Sequence, residues 1–209
     1  MPSTVSAVIA RSLPALYSNF GGTRRLTPCW HRGTWQPVNG GLGPYTAGPF
    51  RIVHHTTEGT TYEGALEAYR QGRGDLHFTV DGAQIYQHID TSETARSLRH
   101  PAGQLETNRH SAVQIEIVGF AGSPKDPAAL TSVARLCRWI EATHEVPQRW
   151  PNGPPRFSTN NQDPGGHNRD PLTWDTQGGH YGHSQVPGNT HWDPGYVAAE
   201  VVVVTPQEP

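Results

Sequence analysis

Long apolar runs are missing from this sequence: no segment approaches the roughly eighteen consecutive apolar residues of a membrane-spanning helix. Charge of either sign is scarce, with 16 Lys and Arg against 18 Asp and Glu in 209 residues and a net charge of −2. The basic residues are scattered rather than gathered into a stripe, which argues against nucleic acid and against electrostatic attachment to a membrane. Cysteine is nearly absent; Cys29 and Cys137 are the two. Cys137 falls on the apolar face of a predicted helix and reads as a small buried hydrophobe. Cys29 follows Pro28 in an irregular stretch, and spacing alone does not decide whether the two pair. The opening MPSTVSAVIARSLPAL has no basic start and only a short apolar stretch, so it makes a poor signal peptide. An internal repeat and the HExxH pattern of the common metalloproteases are absent too.

What the chain does have is turn-forming residues and histidine: 23 glycines, 19 prolines and 12 histidines. The Gly and Pro content stays below that of disordered sequence, and 34% hydrophobic residues suffice for one core, so the chain reads as one loop-rich globular domain. Residues 1–48 lack periodicity and are expected to be an extended segment draped over a domain spanning 49–205. Within that domain FRIVHH (50–55) reads as a buried strand. TYEGALEAYRQG (61–72) places Ala65, Leu66 and Tyr69 at helical spacing. HFTVDGAQIYQHI (77–89) is a hairpin turning at Asp81-Gly82, and AVQIEIVGF (112–120) alternates as a strand. KDPAALTSVARLCRWIEATHEV (125–146) is the strongest helix, with Asp126 as cap, Pro127 in the first turn and a stripe of Leu130, Val133, Cys137 and Ile140. The stretch 147–182 reads as a long loop. Strand, helix, hairpin, strand, helix in this order predicts an α/β (α+β) domain, a mixed central sheet flanked by helices.

The run GHSQVPGNTHWDPG (182–195) concentrates titratable groups in a loop stiffened by Pro187, Gly188 and Pro194. His183, His191 and Asp193 fall within it, and a catalytic zinc takes three such ligands and keeps one position open. His54 and His55 stand at the end of the first predicted strand. Neighbouring strand residues point to opposite faces, so only one of them can reach a common metal. His167 and His180, in the long loop, read as surface residues.

Taken together, HTTEGTTYEGALEAYR, HFTVDG, ETNRHSAVQIEIVGFA and GHSQVPGNTHWDPG resemble, in order and over about 145 residues, a known family. These are the zinc-dependent N-acetylmuramoyl-L-alanine amidases of the amidase-2/peptidoglycan-recognition-protein family, in particular the amidase domains of phage endolysins that act on actinobacteria. The resemblance implies a PGRP-like fold and a Zn2+ ion held by a histidine ending the first strand, a later histidine and an aspartate. The last two fall on His183 and Asp193. For the first, matching HTTEG selects His55, and matching the His-His-Thr of the animal proteins selects His54; His55 is preferred. A lysine that steadies the oxyanion in many members is here His191. The tyrosine some members use is replaced by Leu76, and the glutamate used by members without it matches Glu116. His77 matches a position that shapes the groove or supports the metal ligands from behind, and with Asn108 and Arg109 it is grouped among the residues expected at the substrate.

The implied activity is cleavage of the amide between N-acetylmuramic acid and the L-alanine of the peptidoglycan stem, with Glu116 as proton shuttle and His191 as oxyanion stabiliser. The implied setting is the bacterial cell wall, reached by phage release or secretion, with the enzyme a monomer that engages neither nucleic acid nor membrane. A non-catalytic peptidoglycan-recognition module of the same fold is the alternative. Members of that kind lack a zinc ligand, whereas this chain has candidates for all three.

Overall fold

Six short strands assemble into one mixed sheet in the computed structural model, which describes residues 33–35, 41–72 and 74–205. They are β1 (Gly33–Trp35), β2 (Arg51–Thr56), β3 (Phe78–Asp81), β4 (Gln84–Gln87), β5 (Ala112–Ile117) and β6 (Gly179–Gly182), in the order β1-β4-β3-β5-β2-β6. β2 runs parallel to both β5 and β6, and β5 runs parallel to β3. β3 and β4 form the antiparallel hairpin, turning through Gly82 at φ +53, and β1 lies parallel to β4 at the edge. Parallel strands need both faces covered, and all six residues of β2 are buried.

One face carries the larger core. α2 (Pro127–His144) lays Leu130, Val133, Leu136, Cys137 and Ile140 against Ile52, Phe78, Val113, Ile115 and Ile117. Its start is as the sequence predicts: Asp126 accepts from the Ala129 N–H at 2.8 Å and Pro127 needs no donor partner. α4 (Ala198–Val204) packs beside α2, with Val204 in the same core. The opposite face is covered by α1 (Tyr62–Arg70), whose Tyr69 hydroxyl meets Thr79 at 3.1 Å, and by α3 (Pro171–Thr176) with the fully buried Trp174.

Two expectations need correction. The stretch 147–182 is not one long loop, because it contains α3 and β6. β6 has the sequence GHYG, with no strand-forming pattern, yet it extends the sheet beside β2. Gly179 is required there: at φ +144, any side chain would lie 2.6 Å from the Arg149 carbonyl oxygen. His180, expected at the surface, is fully buried within β6, whereas His167 is part-buried and meets Asp163 Oδ1 at 2.7 Å. α4, a Val-rich run, was not anticipated. Cys29 and most of residues 1–48 lie outside the described residues; Cys137 is a free, buried thiol.

Candidate metal and catalytic site

Parallel pairing puts β2 and β5 in register so that His55 stands opposite Glu116, both on the face away from α2. His54, one residue earlier, points to the α2 face. On the far side β6 runs into a 3₁₀ turn (His183–Gln185) that brings His183 alongside His55, with Nδ1 to Nδ1 at 3.1 Å. The chain then returns so that the Ser184 N–H donates to Asp193 O at 2.9 Å. Asp193 Oδ1 lies 3.2 Å from His183 Nδ1, and Oδ2 lies 3.8 Å from His55 Nδ1 while accepting from the Thr56 N–H at 3.1 Å. Gly195, at φ +58 with its Cα hydrogen against the Ala121 carbonyl, lets the loop close over the sheet.

His55, His183 and Asp193 are all buried, and one donor atom from each lies within 4.8 Å of the others. A tetrahedral ion with bonds of about 2.1 Å would hold its donors about 3.4 Å apart. The two imidazole nitrogens 3.1 Å apart, with Asp193 Oδ1 3.2 Å from one and Oδ2 3.8 Å from the other, are compatible with such a set. Without a cation the cluster is unbalanced: His55 Nδ1 faces the nitrogen of another imidazole, and that same nitrogen is the one Asp193 Oδ1 approaches. Burial first, and His183 next, hold His55 well below the ordinary histidine range, so the ring is neutral and offers a lone pair. Burial tends to raise the Asp193 carboxyl, but His183, His55 and His191 outweigh it and keep it ionised.

A second group, His54, His180 and Cys137, is as compact but chemically closed. Glu141 accepts from His180 Nε2 at 2.8 Å, so His180 Nδ1 accepts from His54 Nε2 at 3.0 Å, and His54 Nδ1 accepts from the Tyr196 hydroxyl at 3.1 Å. Every polar atom of both rings is used with neutral imidazoles, and Arg138 balances Glu141.

Glu116 is partly exposed beside the His55–His183–Asp193 cluster, its carboxyl pushed up to about 8 by burial first and then by Asp193 and Glu58. His191 is exposed and stacks on His183 with ring centroids 4.5 Å apart and planes 10° from parallel. Burial, then His183, lowers its proton affinity. Beyond the same strand ends a cleft of about 590 Å³ opens between Gly59, Thr60, Gly119, Phe120, Pro124 and Lys125.

The expected substrate contacts fare differently. His77 is fully buried; its Nδ1 accepts from the Gln114 N–H at 2.9 Å and its Nε2 donates to Glu93 O at 2.9 Å, so it ties strands together rather than facing a groove. Asn108 is buried too, with Oδ1 accepting from the Leu98 N–H and from Gln114 Nε2 and Nδ2 donating to Leu98 O. Arg109 is exposed and reaches Leu42 O at 3.3 Å. Sequence reasoning missed Asn189, which meets His183 Nε2 at 3.0 Å, and Glu58, whose Oε1 accepts from Thr56 Oγ1 and from the Ala121 N–H. A lone Asn between Gly188 and Thr190, or a Glu in a Thr-rich turn, carries no sequence signal of such a role.

Residues 46–196 match the family model of Amidase_2, N-acetylmuramoyl-L-alanine amidase. The chain belongs to this family. Solved structures agree on the fold. The endolysin N-acetylmuramoyl-L-alanine amidase LysCS from Clostridium intestinale is similar at TM-score 0.52 and 14% identity, over 82% of this chain and 93% of that one. A selenomethionine derivative of AmpD is similar at TM-score 0.53 and 13% identity, over 83% and 94%. A search of curated protein sequences finds no match. The chain is thus an amidase that acts on the peptidoglycan of the cell wall. Among the described residues no helix is long and apolar enough to cross a membrane.

Proposed function

We propose that this amidase is zinc-dependent, with His55, His183 and Asp193 as ligands, Glu116 as proton shuttle and His191 as oxyanion stabiliser. The observation that carries the reading is the convergent donor set: two imidazole nitrogens and a carboxylate meet at donor-to-donor distances suited to one ion. The neighbouring His54–His180 pair, saturated by hydrogen bonds, lacks that property. When bound, a zinc ion supplies acidification of a water and polarisation of the scissile carbonyl.

The chain's own residues do the rest. Glu116, one strand over from His55, takes the proton of the attacking water and returns it to the departing amine of L-alanine. Its raised affinity for protons suits the second half of that task, and its partial exposure keeps it in exchange with solvent. His191 has a lowered proton affinity, so it acts as a neutral N–H donor towards the oxygen of the tetrahedral species. The resemblance of HTTEG and its neighbours to actinophage endolysins favours release from a phage-infected cell over secretion. Purified protein incubated with peptidoglycan should release free L-alanine amino termini and intact muramic acid, read by mass spectrometry. Chelation should abolish the release and added zinc restore it. Binding to the wall without new termini, or full activity in chelator, would overturn the assignment.

A further inference from the structure

We infer that Asn189 is a positioning residue that sets the tautomer of His183 and so keeps its Nδ1 lone pair available to a cation. The inference rests on the metal reading above. Asn189 is 4% exposed and sits between His183 and Asp193 in the closing loop. Its Nδ2 donates to Arg99 O at 3.2 Å and to Pro187 O at 3.1 Å, and its Oδ1 accepts from the Arg99 N–H at 2.8 Å. Carbonyls only accept and an N–H only donates, so these three backbone groups fix which end of the amide is oxygen. That oxygen lies 3.0 Å from His183 Nε2. An oxygen without a proton accepts only from Nε2–H, and in a neutral ring Nδ1 is then bare.

The lock matters because the opposite tautomer has its own attraction. Asp193 Oδ1 stands 3.2 Å from His183 Nδ1, and a carboxylate draws a proton onto the nearest nitrogen. A proton there would cap the lone pair that faces His55. Asn189 supplies the competing acceptor on the far side of the ring. Hydrogen-bond partners that orient metal-bound histidines are typically worth about 10–100-fold in metal affinity.

The experiment begins with the metal-free protein at pH 8. Long-range ¹H–¹⁵N NMR distinguishes Nε2–H from Nδ1–H for His183 in the unaltered chain and in Asn189→Ala and Asn189→Asp. Zinc affinity is then measured by competition with a chromophoric chelator, with thermal unfolding as the folding control. The unaltered protein should hold the Nε2–H form. Asn189→Ala should shift His183 towards Nδ1–H and weaken zinc about 10–100-fold. Asn189→Asp keeps an acceptor for Nε2–H but sets a carboxylate against two carbonyls. It should retain the Nε2–H tautomer and bind zinc more tightly than Asn189→Ala, despite a lower Tm. If Asn189 merely anchored the loop, Asn189→Asp would bind zinc no better than Asn189→Ala, and the inference falls. An Nδ1–H tautomer in the unaltered protein also overturns it, with no variant needed. Absence of zinc binding by the unaltered protein counts against the metal reading instead, since the tautomer is read without metal.

Discussion

Replacing Glu116 by Gln should damage activity and improve stability at once, with the second effect switched on by pH. Gln keeps the shape and one acceptor oxygen but accepts no proton from water. Loss of a general base typically costs 10²–10⁴ in rate, about 3–5 kcal/mol of barrier. The stability effect follows from desolvation. The folded carboxyl titrates near 8 against an ordinary value of 4.5. Between these pH values the folded state holds a proton that the unfolded state has released, so stability falls as pH rises through the window. Below 4.5 both states are protonated and Glu116 costs nothing. Above 8 the gap corresponds to about 5 kcal/mol if fully expressed.

Partial exposure of Glu116 screens that cost, so a gain of about 1–3 kcal/mol is expected from the substitution at pH 8.5. For a chain of this size that raises Tm by about 2–12 °C. The assay is thermal unfolding of chelator-treated protein at pH 4.5 and 8.5, beside single-turnover amide cleavage by the zinc-loaded protein. Equal Tm values for the two proteins at both pH values would refute the desolvation argument. Retention of more than a tenth of the rate would remove Glu116 from the proton transfer.

Replacing His55 by Ala should abolish zinc binding with little change in fold, read by metal analysis of purified protein. His54→Ala should do the reverse: zinc stays, while the orphaned Tyr196 hydroxyl and His180 Nδ1 and the lost packing cost about 2–4 kcal/mol in urea unfolding. Cys137→Ala tests the other trio directly, since the closed hydrogen-bond chain predicts an unchanged zinc content and a loss of about 1 kcal/mol; loss of zinc would move the metal to the α2 face. Gly195→Ala, at φ +58 and against the Ala121 carbonyl, should cost about 1–3 kcal/mol and displace Asp193, weakening zinc in the same competition assay.

Local signals reached some parts of this molecule and not others, for reasons visible in four Asp-Pro pairs. Asp126-Pro127 and Asp170-Pro171 both open helices, each Asp accepting from an N–H three residues on. Asp163-Pro164 and Asp193-Pro194 do not, because Gly165 and Gly195 follow at φ +63 and +58 and carry the chain out of helical space. The third residue therefore decides. α2 was legible because eighteen residues of periodicity follow its cap, whereas α3, six residues long, has too few to show a period. β6 is strand only because β2 offers it an edge, a non-local fact that GHYG cannot carry.

The histidines make the same point in chemical terms. His54 and His55 are neighbours at one strand end, and period two says only that they face apart. Each is met by a second histidine, His180 or His183, delivered by the same passage from β6 into the 3₁₀ turn. What separates a structural pair from a candidate metal pair is the next partner out. Glu141 and Tyr196 close the first chain of donors and acceptors, one from α2 and one from beyond the loop. Asn189 and Asp193 leave the second with lone pairs turned inward. Ligand character here belongs to the partner set rather than to the histidine, and the two partners that close the structural pair stand far from their histidines in sequence.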